Sequence, residues 1–262
     1  MATWQVTLSS DGRNALFPSE ASRNAAVRAL ARAAAPHLAL FCITDSTVHL
    51  VIQSNTARSG SIGRAVLLGL RPLTQQPLAP ATRRRLEDRD HLAWLTRHLL
   101  AVPSQAPLPC HPALWSGSCL LDLAGARSMG APTLLLSRLL PDFELQGAFM
   151  DAGLSEAPLQ PVTDRQLLMA GPGRLLHAAT VALAADPALD GRATPVVAAR
   201  QAIAQLGQRA GLPTRTLADA LGLTTHGVRR LQLLPANGAA QAAVRRYLAL
   251  EERVIQRALA AS

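Results

Sequence analysis

Residues 38–51 read Leu38-Ala39-Leu40-Phe41-Cys42-Ile43-Thr44-Asp45-Ser46-Thr47-Val48-His49-Leu50-Val51. Two runs rich in β-branched and large apolar residues flank the turn-forming triplet Thr44-Asp45-Ser46, so His37 to Ile43 and Thr47 to Gln53 are expected to be paired strands. Upstream, Trp4 to Leu8 alternates with the two-residue period of a strand. Ser19 to Ala35 carries Ala and Arg at helical spacing, with Ser19 or Glu20 available as its cap. Downstream, Ile62 to Leu70 reads as a short helix and residues 72–81, rich in Pro and Gln, as a loop. Asp90 to Val102 reads as a helix that Pro103 stops. The order β-α-β-β-α predicts an α+β chain with a ferredoxin-like sandwich at its start. Its fourth strand is not located by pattern, and the run Arg83-Arg84-Arg85 reads as a solvated loop, with phosphate contact as the alternative.

Beyond residue 125 the pattern changes. Residues 126–190, with scattered Pro and Gly, read as a connecting, partly helical segment. From Arg174 the period is helical throughout, with helices expected over 174–185, 195–210, 214–221, 224–234 and 239–259. Three parts follow: an α+β domain over 1–125, the connector over 126–190, and an all-α domain over 191–262.

The all-α part contains a helix-turn-helix pattern from Leu217 to Leu231. Ala218 is small where a second helix must cross, and Gly222 stands at the turn, where a positive φ is required. Leu217, Leu221, Leu223, Val228 and Leu231 supply a shared core, and Thr224 or Thr225 can cap the second helix. The exposed face of that helix then carries Thr225, His226, Arg229 and Arg230, side chains suited to base edges and phosphates in a major groove. Arg215, Arg245 and Arg246 are further candidate DNA contacts. Gly227 inside the helix costs up to about 1 kcal/mol of helix propensity.

Composition agrees with an anionic partner. The net charge is +9 and every basic residue is Arg. Guanidinium groups suit phosphate and guanine. Residues 200–262 hold nine Arg against Asp219, Glu251 and Glu252, a net of +6. Apolar residues make up 49 %, enough for packed cores built from Leu, Ala and Val. Cys42, Cys110 and Cys119 are odd in number and lie outside CxxC spacing, which points away from a disulfide scaffold or structural zinc and towards a reducing cytoplasm. The start MATWQVTLSS has no secretory pattern, and no apolar run reaches about 18 residues without charge, so no membrane partner is expected.

The stretch Leu38 to Val51 resembles the "aycLMPNHVHLL" strand pair of REP-associated tyrosine transposases, members of the HUH single-strand DNA nucleases. Other pieces follow in the family's order. Ala15-Leu16-Phe17 with Ser22-Arg23 resembles its entry to the first helix. Asp88 to Leu100 resembles its "L..l.rYIh.NPvragL" helix, and Trp115-Ser116-Gly117-Ser118 its "WpwSSy" close. The resemblance covers residues 1–125, and some members carry a C-terminal helix-turn-helix. It implies two His at i and i+2 on one strand holding a divalent metal, Mg or Mn, that polarises a scissile phosphate. It also implies a helix-borne Tyr that forms a phosphotyrosine link, strand cleavage and joining in DNA transposition, and action as a homodimer.

The chain departs from that pattern at the reacting groups. Thr47 stands at the first His position, so His49 alone remains as a metal ligand. His98 stands at the Tyr position and Val102 at the family's Asn. The single Tyr is Tyr247, in the C-terminal Arg-rich helix. The interval between His49 and His98 is short, so the strand following the second helix is expected to be missing. The expectation is a cytoplasmic, nucleoid-associated DNA-binding protein, an inactivated transposase with no cofactor. The alternatives are an active metal-dependent nuclease using His49 and His98, with His91 one helical face away, and a protein-interaction module.

Overall fold

The computed structural model describes residues 1–10, 12, 14–105, 110–128, 131–154 and 160–261. The chain divides into two compact units, Met1–Leu123 with Met129–Ala157 and Ala124–Ser128 with Pro158–Ser262. Residues 126–190 are thus distributed between the two. Among the described residues no helix is long and apolar enough to cross a membrane.

The first unit is mixed α+β, built on a four-stranded antiparallel sheet. Its elements run Ala2–Ser9 (β1), Glu20–Ala34 (α1), Leu38–Ile43 (β2), Thr47–Ser54 (β3), Thr56–Leu70 (α2), Thr82–Arg85 (β4) and Arg89–Gln105 (α3). Short helices follow at Leu120–Leu123 (α4), Ala131–Leu139 (α5) and Leu145–Asp151 (α6). The strand order is β2-β3-β1-β4.

The strands of the quoted stretch pair as its pattern requires, with Phe41 opposite Leu50 and Cys42 opposite His49. The Thr44 amide donates to the Thr47 carbonyl at 2.8 Å, closing the turn. Every residue of β2 is buried, which explains its unbroken apolar run: helices pack on it from α1, α3 and α5. Its outer edge is closed by residues 117–119, where Ile43 N donates to Gly117 O at 2.8 Å and Cys119 N to Phe41 O at 3.1 Å. Fully burying each Leu, Ile or Phe of this core contributes about 1.5–3 kcal/mol. Ser19 caps α1 in a reciprocal capping box with Ser22.

Three expectations are corrected. The fourth strand exists, and it is the arginine run: Thr82–Arg85 pairs antiparallel with β1, Val6 opposite Arg83. Its polarity hid it, because an exposed edge strand needs no apolar face. Pro103 lies inside α3, which continues to Gln105. Helix α2 starts at Thr56, six residues before the expected point, because Asn55 caps it by accepting from Arg58 N at 2.8 Å.

The second unit is helical: Asp164–Ala182 (α7), Thr194–Arg209 (α8), Thr214–Leu221 (α9), Thr225–Gln232 (α10) and Gly238–Ala261 (α11). Helix α7 begins earlier than its apolar period predicts and is kinked at Gly171, φ +76°, before Pro172. Helices α7, α8 and α11 pack together, and α9 and α10 pack on α8.

Candidate functional site

The second unit carries the helix-turn-helix geometry. Helix α9 ends at Gly222, whose φ of +60° and ψ of +32° are left-handed. The Leu223 amide donates to the Ala218 carbonyl at 3.0 Å across this turn. Thr224 caps α10, its Oγ1 accepting from Gly227 N at 3.1 Å. Leu217, Ala218, Leu221 and Val228 are buried, and Leu223 and Leu231 are half-buried. A Cβ on Gly207 of α8 would lie 2.5 Å from Leu217 Cδ2, so Leu217 of α9 packs directly on that glycine and would have to shift for any larger residue.

One residue of this scaffold is not signalled by the motif. Gln205 is 6 % exposed within an apolar stretch of α8. Its amide donates to the Leu234 carbonyl at 2.7 Å and the Leu231 carbonyl at 3.3 Å. Gln241 of α11 donates to its oxygen at 2.7 Å. Gln205 therefore satisfies carbonyls at the end of α10 and ties them to α11. A lone Gln between Ala204 and Leu206 was the available signal.

Thr225, His226, Arg229 and Arg230 are all exposed. At i, i+1, i+4 and i+5 they share one face of α10. No acidic residue occurs between Asp219 and Glu251. Arg215 is exposed on α9. Arg245 and Arg246 are placed differently. Arg245 is half-buried, donates to the Val162 carbonyl at 2.6 Å and pairs with Asp164. Arg246 is half-buried against Gly125. The Arg245 guanidinium thus ties α11 to the segment before α7. Tyr247 is 2 % exposed, its ring 5.8 Å from that of His177 and its hydroxyl 3.2 Å from His177 Nε2. It is a core residue.

In the first unit, His49 faces outward from the middle of the sheet, half-buried, with Nδ1 3.4 Å from Thr7 Oγ1 on β1. Burial lowers its pKa, and the neighbouring His98 imidazole lowers it further. His98 of α3 is thus close enough to His49 to act on it electrostatically. Thr47 is not part of it as a free ligand: its Oγ1 lies 2.8 Å from Thr44 Oγ1 and helps hold the turn. His98 stacks on Trp94 with centroids 5.2 Å apart and planes 3° off parallel. Trp94 is 61 % exposed, and His91 stands 6.3 Å from it on the other side.

The residues at His49 do not fit a divalent metal. Mg and Mn take hard oxygen ligands, carboxylates above all. Among the described residues no group of three or more His, Cys, Asp or Glu side chains could hold an ion.

The other segments singled out in sequence converge. Arg23 Nη1 donates to the carbonyls of Phe17 at 3.2 Å and Pro18 at 3.3 Å. Its Nε reaches Ser116 Oγ at 3.4 Å and its guanidinium lies 4.5 Å from the Trp115 ring. Trp115 Nε1 donates to the Ile43 carbonyl at 2.7 Å, at the end of β2. Asp88 caps α3 by accepting from His91 N at 2.7 Å.

Compared with family models, with curated proteins and with solved structures, the chain gives no match.

Proposed function

We propose that the chain is a DNA-binding protein whose reader is the α9–Gly222–α10 helix-turn-helix. The observation that carries this reading is the face of α10: Thr225, His226, Arg229 and Arg230 are all exposed on a helix held by a threonine cap, a left-handed glycine and a buried glutamine. Such a helix presents hydrogen-bonding groups at its N-terminal end and two guanidinium groups one turn later.

The first unit, in the same proposal, is a ferredoxin-like sheet of the HUH transposase type, related to REP-associated tyrosine transposases. Its β-α-β-β-α order, the β2-β3-β1-β4 arrangement and the meeting of Phe17, Arg23, Ile43, Trp115 and Ser116 support that descent. Tyrosine-nuclease activity is lost in this reading. His98 occupies the nucleophile's position stacked on Trp94, Thr47 is held in its turn, and the only Tyr is buried beside His177. Helix-turn-helix proteins commonly bind as homodimers, and this one acts so on the nucleoid in the cytoplasm.

Gel shifts of the full chain on duplex DNA over a salt series test the reading. Log affinity should fall with log salt, by about 0.9 for each phosphate neutralised. Arg229→Ala with Arg230→Ala should weaken binding and flatten that slope. Salt-independent binding, or none, would favour a protein-interaction module. A hairpin single strand incubated with Mg or Mn should yield no covalent adduct; an adduct lost on His49→Ala would restore the nuclease.

A further inference from the structure

From Ser46 to Leu86 the sequence holds six Arg and no acidic residue. In the first unit this interval folds into β3, α2 and β4. Arg64 and Arg71 are exposed, seven residues apart on α2 or its end. That is two helical turns, about 10 Å along the axis. Arg83 stands opposite Val6, and Val6 lies under Gly63 of α2, so β4 turns Arg83 to the α2 side. By strand alternation Arg85 points the same way. A groove of about 550 Å³ separates the two elements, lined by Arg64, Leu67, Leu68, Arg71, Ala81 and Arg83.

Arg83 is not free to swing. Its Nη1 donates to the Thr56 carbonyl at 3.3 Å and Ser59 Oγ at 3.1 Å. Its charge is therefore already placed, which lowers the ordering cost of binding an anion there. A Cβ on Gly60 would lie 2.8 Å from Arg83 Nη1, so the groove floor is glycine where the guanidinium crosses.

We infer that this groove between α2 and β4 is a second, sequence-independent DNA contact, holding one strand's phosphodiester backbone on Arg64, Arg71 and Arg83. The chemistry selects the occupant. Guanidinium forks match phosphate oxygens in pairs, and an open groove with a row of cations suits a repeating polyanion better than a single small one. The groove adds affinity without reading bases, since phosphate contacts carry no sequence information. His49 points to the other side of the sheet, the side of its partner Thr7, whose neighbour Val6 faces α2. The groove is thus separate from the His49–His98 position.

This inference rests on the reading of the chain as a DNA binder, and the test keeps the two apart. Duplex affinity over a salt series is measured for the full chain, for Arg64→Gln/Arg71→Gln, for Arg229→Ala/Arg230→Ala, and for Arg64→Lys/Arg71→Lys. Circular dichroism checks that each is folded. The Gln pair should lower the slope of log affinity against log salt by about 1.8, equally on any duplex sequence. The Lys pair should keep the slope. An unchanged slope in the Gln pair, with the α10 variant impaired, overturns the groove and leaves the helix-turn-helix standing. Loss in the Gln pair with an unaffected α10 variant does the reverse. No binding by the wild type, or binding to phosphatidylserine vesicles in place of DNA, overturns both.

Discussion

The helix α10 and the centre of the sheet each present side chains of the kinds that handle nucleic acid, but they hold them differently. On α10, Thr225, His226, Arg229 and Arg230 are exposed, and other residues do the structural work: Thr224 caps, Gly222 turns, Gln205 secures the far end. At the sheet, Thr47 and His49 are engaged in the structure itself, while His98 is exposed on α3. Thr47 holds its turn, His49 lies half-buried beside Thr7, and His98 stacks on Trp94. A preorganised site holds its functional groups in place through a supporting shell of other residues. Helix α10 has such a shell, whereas Thr47 and His49 are themselves part of the packing.

The contrast breaks most sharply where each scaffold is held. Trp115 is 1 % exposed, bonded to Ile43 O and stacked by Arg23. Trp115→Ala should destabilise the first unit by about 3–5 kcal/mol, read by urea unfolding. Duplex affinity should stay within a few-fold wherever both units remain folded. Gly207→Ala should do the opposite. Its Cβ would press 2.5 Å from Leu217 Cδ2, costing about 1–3 kcal/mol, and duplex binding should fall as α9 shifts.

Smaller effects sharpen the comparison. Gly227→Ala meets nothing nearer than Thr224 Oγ1 at 3.4 Å, so it should stabilise the second unit by up to about 1 kcal/mol through helix propensity. Thermal unfolding reads it. At the sheet the signature is pH. The folded His49 pKa is lowered from the ordinary 6.5, so the unfolded chain takes up the proton first. The stability that comes with neutral His49 is full above about pH 6.5 and is lost as pH falls through the folded value. His49→Gln should remove that part of the acid sensitivity while leaving affinity for duplex DNA unchanged.

Thiol chemistry adds the smallest test. Cys42 and Cys119 are buried and Cys110 is exposed. Burial, with Cys119 adding to it, pushes the Cys42 thiol far up. A native sample should therefore show one accessible thiol, and all three on denaturation.

What the sequence disclosed follows from how strongly each residue's place was dictated. The strand at Leu38–Ile43 was legible because burial on both faces leaves a continuous apolar run, and Thr47–Ser54 because local turn residues precede its β-branched and apolar positions. Helices α8 to α11 were legible to within a few residues by their period. Strand β4 was not, because Thr82-Arg83-Arg84-Arg85 is polar and exposed throughout and its partner β1 lies some 75 residues away in sequence. Propensity cannot see such a pairing. Arg245 and Arg246 looked like DNA contacts on charge alone. Their tie to Asp164, Val162 and Gly125 depends on how α11 meets the segment before α7, which no local pattern encodes. Gln205 stood out as a lone polar residue, but its role was hidden for the same reason: its acceptors lie 26 and 29 residues away.

The most direct measurement is selection of bound duplexes from a random pool by the full chain, by Arg229→Ala/Arg230→Ala and by His49→Ala. A helix-turn-helix reader enriches a short recurring sequence, loses that enrichment in the α10 variant, and keeps it in His49→Ala. A pool that shows no enrichment with the wild type, or an enrichment that survives the α10 variant and disappears in His49→Ala, would contradict the assignment of the reader to α10.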